Sequence, residues 1–264
     1  MPFEELKERH AVVWGSGPYQ GITETIADLH QAVLERVDPR PGERVLDLAC
    51  GTGAMPELVA ARAVEVVGID IAPALIEQAK ERAIKRGLDI DYRVGDAESL
   101  DLDDASFDVV TSTCGVMFTP DHAATARELA RVTKPAGRIG LACWTPDSGL
   151  AKIFGIMRQY QPASPDGVGN PFDWGREDYV RDLLGGDFDL EFEILDSPIE
   201  MESGEAVWEL WVRDYGPTKV LAESLDDDKR EELHSAFVEL QEESRTNGGI
   251  KSSRTYLLTV GTRK

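Results

Sequence analysis

Short apolar runs and helical apolar stripes alternate along the first half of the chain. The apolar runs predict β-strands at 44–49, 65–70, 90–95, 107–112 and 138–144. Between them, apolar residues at helical spacing predict helices at 55–62, 73–86 and 121–133. This regular alternation is typical of a doubly wound α/β fold, in which helices cover both faces of a parallel sheet. Ligands bind such sheets at the carboxyl ends of the strands.

The patterns on either side of this region are weaker. Residues 1–20 are predicted to be irregular, and an apolar stripe over 22–37 predicts the first helix. After Trp144 the sequence predicts a further set of elements: a short helix at 176–184, a strand at 189–194, a helical segment at 203–247 broken at Gly216-Pro217, and a last strand at 256–260.

A glycine turn follows the first predicted strand. The sequence from Val45 to Leu48 is apolar apart from one aspartate, and Gly51-Thr52-Gly53 then precedes a helix. Glycines let the backbone turn sharply and let a ligand approach closely, and a helix N-terminus offers unpaired N–H groups to an anion. The turn therefore predicts a nucleotide-like ligand. A dinucleotide fingerprint would need a third glycine where Pro56 stands, which disfavours NAD.

The segment 47–53, Asp-Leu-Ala-Cys-Gly-Thr-Gly, resembles the first motif of class I S-adenosylmethionine-dependent methyltransferases. Four further blocks follow in the order that this family uses: 68–70, 94–98, 107–113 and 134–138. The resemblance covers about residues 40–145 and is closest to the ubiquinone/menaquinone-biosynthesis-like branch, type 11. It implies S-adenosylmethionine as cofactor and a seven-stranded Rossmann-like sheet whose last strand is antiparallel.

A chain of 264 residues is long enough for one domain with a cap, or for one and a half domains, and we predict a single methyltransferase domain over 1–264. An N-terminal lid and helix would occupy 1–40, and the cofactor-binding core 41–145. The segment 203–247 would then be an insertion before the last strand, where such enzymes build a cap over the substrate.

Two acidic strand ends are candidates for binding the nucleoside. Asp70 ends the second predicted strand, where a carboxylate can accept two hydrogen bonds from a ribose diol; its alternative role is to cap the helix at Pro73. By resemblance, the Asp96 carboxylate and the Ala97 N–H would contact adenine; the alternative is a local turn.

The remaining candidates belong to the methionine end of the cofactor. Asp47 lies inside the first strand, where a charge is costly unless it is paired, and by resemblance it organises the glycine loop. Thr113 matches a family contact but is equally an ordinary strand residue. The complete implied cofactor site is Asp47, Ala49, Gly51, Thr52, Gly53, Asp70, Ile71, Asp96, Ala97 and Thr113.

The side chains that would meet the methyl acceptor are less defined. An apolar substrate wall is predicted from Trp14, Tyr19, Met117, Phe118 and Trp144, and the alternative is ordinary packing. A general base for methyl transfer is often histidine. No histidine stands out: His122 begins a helix near the expected cofactor edge, and His30 is assigned to a polar helix face. The catalytic residue is therefore unknown, with His122 as the candidate.

The three cysteines fall at the ends of predicted neighbouring strands. Cys50, Cys114 and Cys143 are odd in number and have no metal-ligand spacing. They would be either a thiol cluster that binds a soft metal or three small buried apolar residues, and we favour the second interpretation and predict no metal.

The charge composition of the chain disfavours some classes of binding partner. The 264 residues carry 49 acidic and 28 basic side chains, a net charge of −21, which opposes binding to nucleic acid and to anionic membranes. No signal-peptide pattern or membrane-spanning run is visible, so the cytoplasm is expected.

We predict methyl transfer to a small-molecule acceptor by in-line displacement. A non-catalytic cofactor-binding or regulatory protein of this fold, and an NAD-dependent reductase, remain alternatives.

Overall fold

Seven strands form the central sheet of the computed structural model, which describes residues 3–62 and 65–264. They are β1 (Arg44–Leu48), β2 (Glu65–Asp70), β3 (Asp91–Val94), β4 (Phe107–Thr113), β5 (Thr133–Trp144), β6 (Phe188–Asp196) and β10 (Thr255–Arg263). Their order is β3-β2-β1-β4-β5-β10-β6, and β10 is antiparallel to both of its neighbours. This confirms the predicted seven-stranded, doubly wound sheet with an antiparallel last strand.

Helices connect and cover the strands. They are α1 (Glu4–Trp14), α2 (Gln20–Glu24), α3 (Ala27–Val37), α4 (Ala54–Ala60), α5 (Pro73–Arg86), α6 (His122–Val132), α7 (Gly149–Arg158), α8 (Glu177–Leu184), α9 (Gly204–Asp214), α10 (Gly216–Ser224) and α11 (Asp227–Glu242). Short 3₁₀ helices lie at Val116–Phe118 and Pro171–Gly175. None of the helices in the described ranges is long and apolar enough to cross a membrane.

The N-terminal region differs from the prediction. Residues 4–14 form α1 rather than irregular chain, and the first apolar stripe is divided between α2 and α3 by a break at Thr25–Ile26. Helix α1 carries hardly any apolar periodicity, and its one buried residue is Lys7. Tertiary contacts of a charged side chain therefore position this helix, and a periodic sequence pattern does not predict such contacts.

The second half of the chain also holds elements that the sequence did not predict. Helix α7 lies in the proline- and glycine-rich stretch after β5. The helical segment breaks a second time before Asp226, whose side chain caps α11 by accepting from the Lys229 N–H at 2.9 Å. Three short strands, β7 (Ile199–Met201), β8 (Arg245–Thr246) and β9 (Gly249–Ser252), form a separate antiparallel sheet in the order β7-β9-β8. Each is only two to four residues long, too short for a periodic signal.

The N-terminal segment is joined to the helices before β10. The Tyr19 N–H donates to the Asp214 carbonyl at 3.1 Å, and the Gly21 N–H donates to the Asp214 carboxylate at 3.1 Å. A Cβ on Gly17 would lie only 2.3 Å from the Asp214 carbonyl oxygen, so the two backbones approach as closely as glycine permits. As a result, α1, α2, α9 and α10 pack together.

Candidate functional site

A cavity of about 200 Å³ lies at the carboxyl ends of β1, β2, β4 and β5. Its floor comes from residues that follow these strands, and its other walls come from α1, α2, α3, α7 and α9. This is the edge at which ligands bind doubly wound sheets, and the cavity brings together residues from distant parts of the sequence.

The glycine turn after β1 forms one end of the floor. Ala49, Gly51 and Gly53 all have positive φ angles, of 52°, 56° and 85°. Ala49, Gly51 and Thr52 line the cavity, whereas Gly53 does not. A Cβ on Gly53 would lie 2.2 Å from the Tyr92 hydroxyl oxygen, so this glycine is needed for packing beneath the turn.

Asp70 ends β2 beside the turn. Its Oδ2 accepts from the Gly51 N–H at 2.8 Å, and its Oδ1 accepts from the Ala72 N–H at 2.9 Å. Burial raises the pKa of Asp70, and the backbone N–H groups that bond to the carboxylate oppose that rise. Each carboxylate oxygen can accept a further hydrogen bond, so Asp70 and the adjacent Ile71 remain available to a ligand in the cavity.

The turn after β3 forms a second end of the cavity, closed by α1. Asp96 and Ala97 both line the cavity. The buried Lys7 ammonium donates to the Asp96 carboxylate at 2.7 Å and also pairs with Glu98. Lys7 thus joins the N-terminal helix to the two acidic side chains that follow β3.

Asp47 is placed differently from the prediction. It lies behind the turn, 1% exposed and outside the cavity lining, and its carboxylate accepts from the Thr111 hydroxyl on β4 at 2.6 Å. The Gly51 N–H, part of the glycine loop that Asp47 was expected to organise, bonds to Asp70. Burial raises the pKa of Asp47 to about 7, an effect that the Thr111 hydroxyl opposes and the Asp70 charge reinforces. Thr113, at the end of β4, does line the cavity.

Two buried polar atoms lack partners at the cavity. The Thr52 Oγ1 and the Tyr19 hydroxyl have no hydrogen-bond partner among residues 3–62 and 65–264, although both residues line the cavity. Buried polar groups are nearly always hydrogen-bonded, so these two atoms are suited to contact a polar ligand.

Aromatic rings form the wall opposite the glycine turn. Trp14 packs on Phe118 with ring centroids 4.8 Å apart and on Tyr215 at 5.6 Å. Trp14, Tyr19, Phe118 and Trp144 line the cavity as the sequence analysis placed them. Met117 does not: it is fully buried in the core, because the 3₁₀ turn at Val116–Phe118 directs consecutive side chains to different sides.

The wall contains further aromatic rings that the sequence analysis did not name. Tyr215 and Trp211, on the predicted cap segment, line the cavity; Trp208 instead packs on His234 and Phe237. Phe154 belongs to α7, a helix without a sequence signal. It stacks on Phe118 with centroids 5.7 Å apart.

The histidines are arranged differently from expectation. His122 lies outside the cavity lining, with its Nδ1 bonded to the Tyr179 hydroxyl at 2.8 Å. His30, assigned to a polar helix face, is buried and lines the cavity, with its Nδ1 at 3.0 Å from the Ile26 carbonyl. Burial lowers the pKa of His30 to about 4, so the ring is neutral at pH 7. His10 also lines the cavity, and burial lowers its pKa.

The cysteines are free thiols whose pKa values burial raises. Cys50 and Cys114 line the cavity, and Cys143 is buried behind Cys114. Within the part of the chain that the structure describes, no group of three His, Cys, Asp or Glu side chains could hold a metal ion.

Arg254 lines the cavity and was not predicted from the sequence. It lies in the turn before β10, and its guanidinium reaches the cavity at 5.7 Å from the centre of the Trp144 ring. Its position depends on the antiparallel return of β10 beside β5, which residue spacing alone does not reveal.

Comparison with known proteins matches residues 46–141 to a family described as a methyltransferase domain, type 11. An uncharacterized protein of Mycobacterium tuberculosis is 33% identical over 219 residues, which span 81% of this chain and 80% of that protein. Nocamycin O-methyltransferase of Saccharothrix syringae is 40% identical over 122 residues, 45% of this chain and 44% of that enzyme.

The fold is shared with solved structures. The crystal structure of the YcgJ protein from Bacillus subtilis covers 89% of this chain and 97% of its own, with a TM-score of 0.65 at 20% identity. Together with the strand order and the matched domain, these relatives show that the chain belongs to the type 11 branch of the class I S-adenosylmethionine-dependent methyltransferases, enzymes that transfer a methyl group to small-molecule acceptors.

Proposed function

We propose that the cavity binds S-adenosylmethionine across the carboxyl ends of β1, β2 and β4. Asp70 would accept hydrogen bonds from the ribose hydroxyls, and Asp96 and Ala97 would contact the adenine. The glycine turn, with Thr52 and Thr113, would hold the methionine end. The single observation that carries this assignment is that residues from all of these strand ends line one cavity.

The chemistry of the lining fits the cofactor. The ribose is a paired hydroxyl donor, which suits the two carboxylate oxygens of Asp70. Ile71 and Leu75 supply apolar surface beside Asp70, as a flat purine ring requires. The Thr52 Oγ1 is buried and has no hydrogen-bond partner among the described residues, so it can bond to the polar methionine end of the cofactor.

The reaction requires little chemistry from the protein. The bound sulfonium supplies an electrophilic methyl group, so the chain mainly has to align the acceptor and exclude water. We propose that the aromatic wall binds an apolar acceptor, and that α1, α2 and the helices over 204–242 cover it as a lid and cap. Asp47 would act at a distance, by holding β1 against β4 through Thr111.

Calorimetric titration with S-adenosylhomocysteine tests this assignment. We expect one site in the wild type. The Asp70→Ala variant should bind more weakly by about 2–4 kcal/mol, because two hydrogen bonds to a charged acceptor are lost. NAD, titrated in the same way, should not bind.

The matched control is Asp89→Ala, which removes an exposed carboxylate from the chain segment before β3. This variant should bind S-adenosylhomocysteine as the wild type does. Thermal unfolding of each variant without ligand separates a folding defect from a binding defect. Unchanged affinity in a folded Asp70→Ala variant would exclude Asp70 from the ribose site.

A further inference from the structure

Among the described residues, one lysine, Lys7, and one arginine, Arg254, are buried, and their charges have different kinds of hydrogen-bond partner. Lys7 is paired with two carboxylates. Arg254 is 4% exposed, yet no Asp or Glu of residues 3–62 and 65–264 forms an ion pair with its guanidinium. A buried charge without a counter-charge is costly, and the chain has a large excess of carboxylates from which a partner could have come.

Neutral oxygens hold the guanidinium in place. Its Nε donates to the Ser197 carbonyl at 2.7 Å, and Nη1 donates to the Thr25 hydroxyl at 3.0 Å. Its Nη2 donates to the Thr25 carbonyl and, at 3.4 Å, to the Ser197 hydroxyl. These contacts use four of the five N–H groups and leave one on Nη1.

The nearest carboxylates act on the outer side of this arrangement. Asp28 accepts from the Ser197 hydroxyl at 2.7 Å, and Asp196 accepts from the backbone N–H of Arg254 at 2.8 Å. Burial lowers the pKa of Arg254 to about 10, so the side chain remains protonated at pH 7. The cavity therefore contains a fixed positive charge.

This charge lies at the acceptor end of the cavity. The Arg254 guanidinium is beside the Trp144 ring at the end of β5. Burial raises the pKa of the Cys114 thiol, which directly follows β4, and the Arg254 charge opposes that rise. Asp96, at the adenine end, is instead occupied by Lys7. On the cavity side the guanidinium lies over the Trp144 ring, and His30, another residue of the cavity lining, is uncharged at pH 7.

We propose that the methyl acceptor is an oxygen anion on an apolar body, a carboxylate or a similarly charged oxygen, and that Arg254 binds it. This inference rests on the proposed function of the cavity. The apolar body would pack on the aromatic wall, and the free N–H of Nη1 would donate to one oxygen of the anion.

An ionised acceptor needs no general base. Its oxygen attacks the methyl carbon, a C–O bond forms, and the S–C bond breaks with its electron pair staying on sulfur. No proton has to be removed. This agrees with the placement of His122 outside the cavity and with the low pKa of His30.

The test compares anionic probes with neutral ones of the same shape. Benzoate, 2-naphthoate and decanoate are each titrated against their primary amides, on the full-length protein saturated with S-adenosylhomocysteine. For the carboxylate that binds best, we expect about tenfold or greater preference over its amide, the range of a charge-assisted hydrogen bond. Equal affinity for acid and amide, or no carboxylate binding at all, would overturn the proposal.

Variants assign the preference to Arg254. Arg254→Gln should abolish the preference for the acid, while Arg254→Lys should retain part of it, because the charge remains. A preference that persists in Arg254→Gln would refute the assignment. If Arg254→Gln does not fold, the comparison of wild type with Arg254→Lys still tests it, since a compact ammonium should bind the carboxylate less tightly.

Affinity for S-adenosylhomocysteine is the separate readout for the proposed function. It should be nearly unchanged in the Arg254 variants, because Arg254 lies away from the adenosine contacts. A wild type that fails to bind S-adenosylhomocysteine would contradict the proposed function itself, whatever the anionic probes do.

Discussion

Replacing Lys7 with methionine tests how the N-terminal helix is held over the site. Lys7 is 4% exposed, and its two partners, Glu98 and Asp96, have side chains that are 2% and 21% exposed. The Lys7→Met variant keeps most of the side-chain volume but leaves two neighbouring carboxylates without their counter-charge. Because breaking a fully buried ion pair costs about 3–5 kcal/mol, and Asp96 retains some contact with water, we expect a loss near 3 kcal/mol at pH 7.

Urea unfolding, followed by circular dichroism, measures this loss. The matched control is Lys80→Met, which removes a surface pair with Glu77 whose side chains are 45% and 70% exposed. That pair contributes about 0.5 kcal/mol or less. A Lys7→Met variant that loses no more stability than Lys80→Met would refute the interpretation of Lys7 as a buried clamp.

The pH dependence supplies a second check. Burial raises the pKa of Glu98 above its usual value, and Lys7 opposes that rise. Without Lys7, the folded protein binds a proton at Glu98 more tightly than the unfolded chain does. The variant should therefore recover stability relative to the wild type as the pH falls towards about 5. Adding Glu98→Gln to Lys7→Met should recover part of the loss at pH 7.

Two further variants test the interior of the site. The pKa of Asp47 is about 7 in the folded state, so between about pH 4 and 7 the folded protein keeps a proton that the unfolded chain releases. Asp47 should therefore lower the stability of the wild type by about 1.4 kcal/mol for each pH unit as the pH rises through this range. Asp47→Asn should remove this contribution, and parallel stability–pH curves for the two proteins would contradict the prediction. Replacing Cys50, Cys114 and Cys143 together by alanine or serine should change the affinity for S-adenosylhomocysteine by no more than about threefold. Elemental analysis of the wild type should find no bound metal, and a stoichiometric metal would support the thiol-cluster interpretation instead.

The sequence predicted the elements whose signals are local. Helix α5 was predicted with its observed limits, since Pro73 suits its first turn and Gly87, at φ 67°, ends it. The glycine turn and the acidic end of β2 were also local patterns, and they led directly to the family. Their residues meet at one cavity because parallel strands bring their carboxyl ends to one edge of the sheet.

Features that depend on tertiary contacts were not predictable in this way. Helix α1 depends on the pairing of Lys7 with residues about ninety positions away. His30 lies beside the apolar stripe of α3, and it is buried where distant elements meet around the cavity. Phe154 lies on a helix in a proline- and glycine-rich stretch. Arg254 directly precedes β10, so its position depends on the antiparallel pairing of β10 with β5 and β6. In each case the decisive information is a distant partner, which single-sequence periodicity does not contain.

A crystal structure of the protein with S-adenosylhomocysteine tests the central claim most directly. We expect the ribose hydroxyls on Asp70, the adenine between Ile71 and the Asp96–Ala97 backbone, and the sulfur directed towards Trp144 and Arg254. An adenosine bound elsewhere, or a sulfur directed away from the aromatic wall, would contradict it.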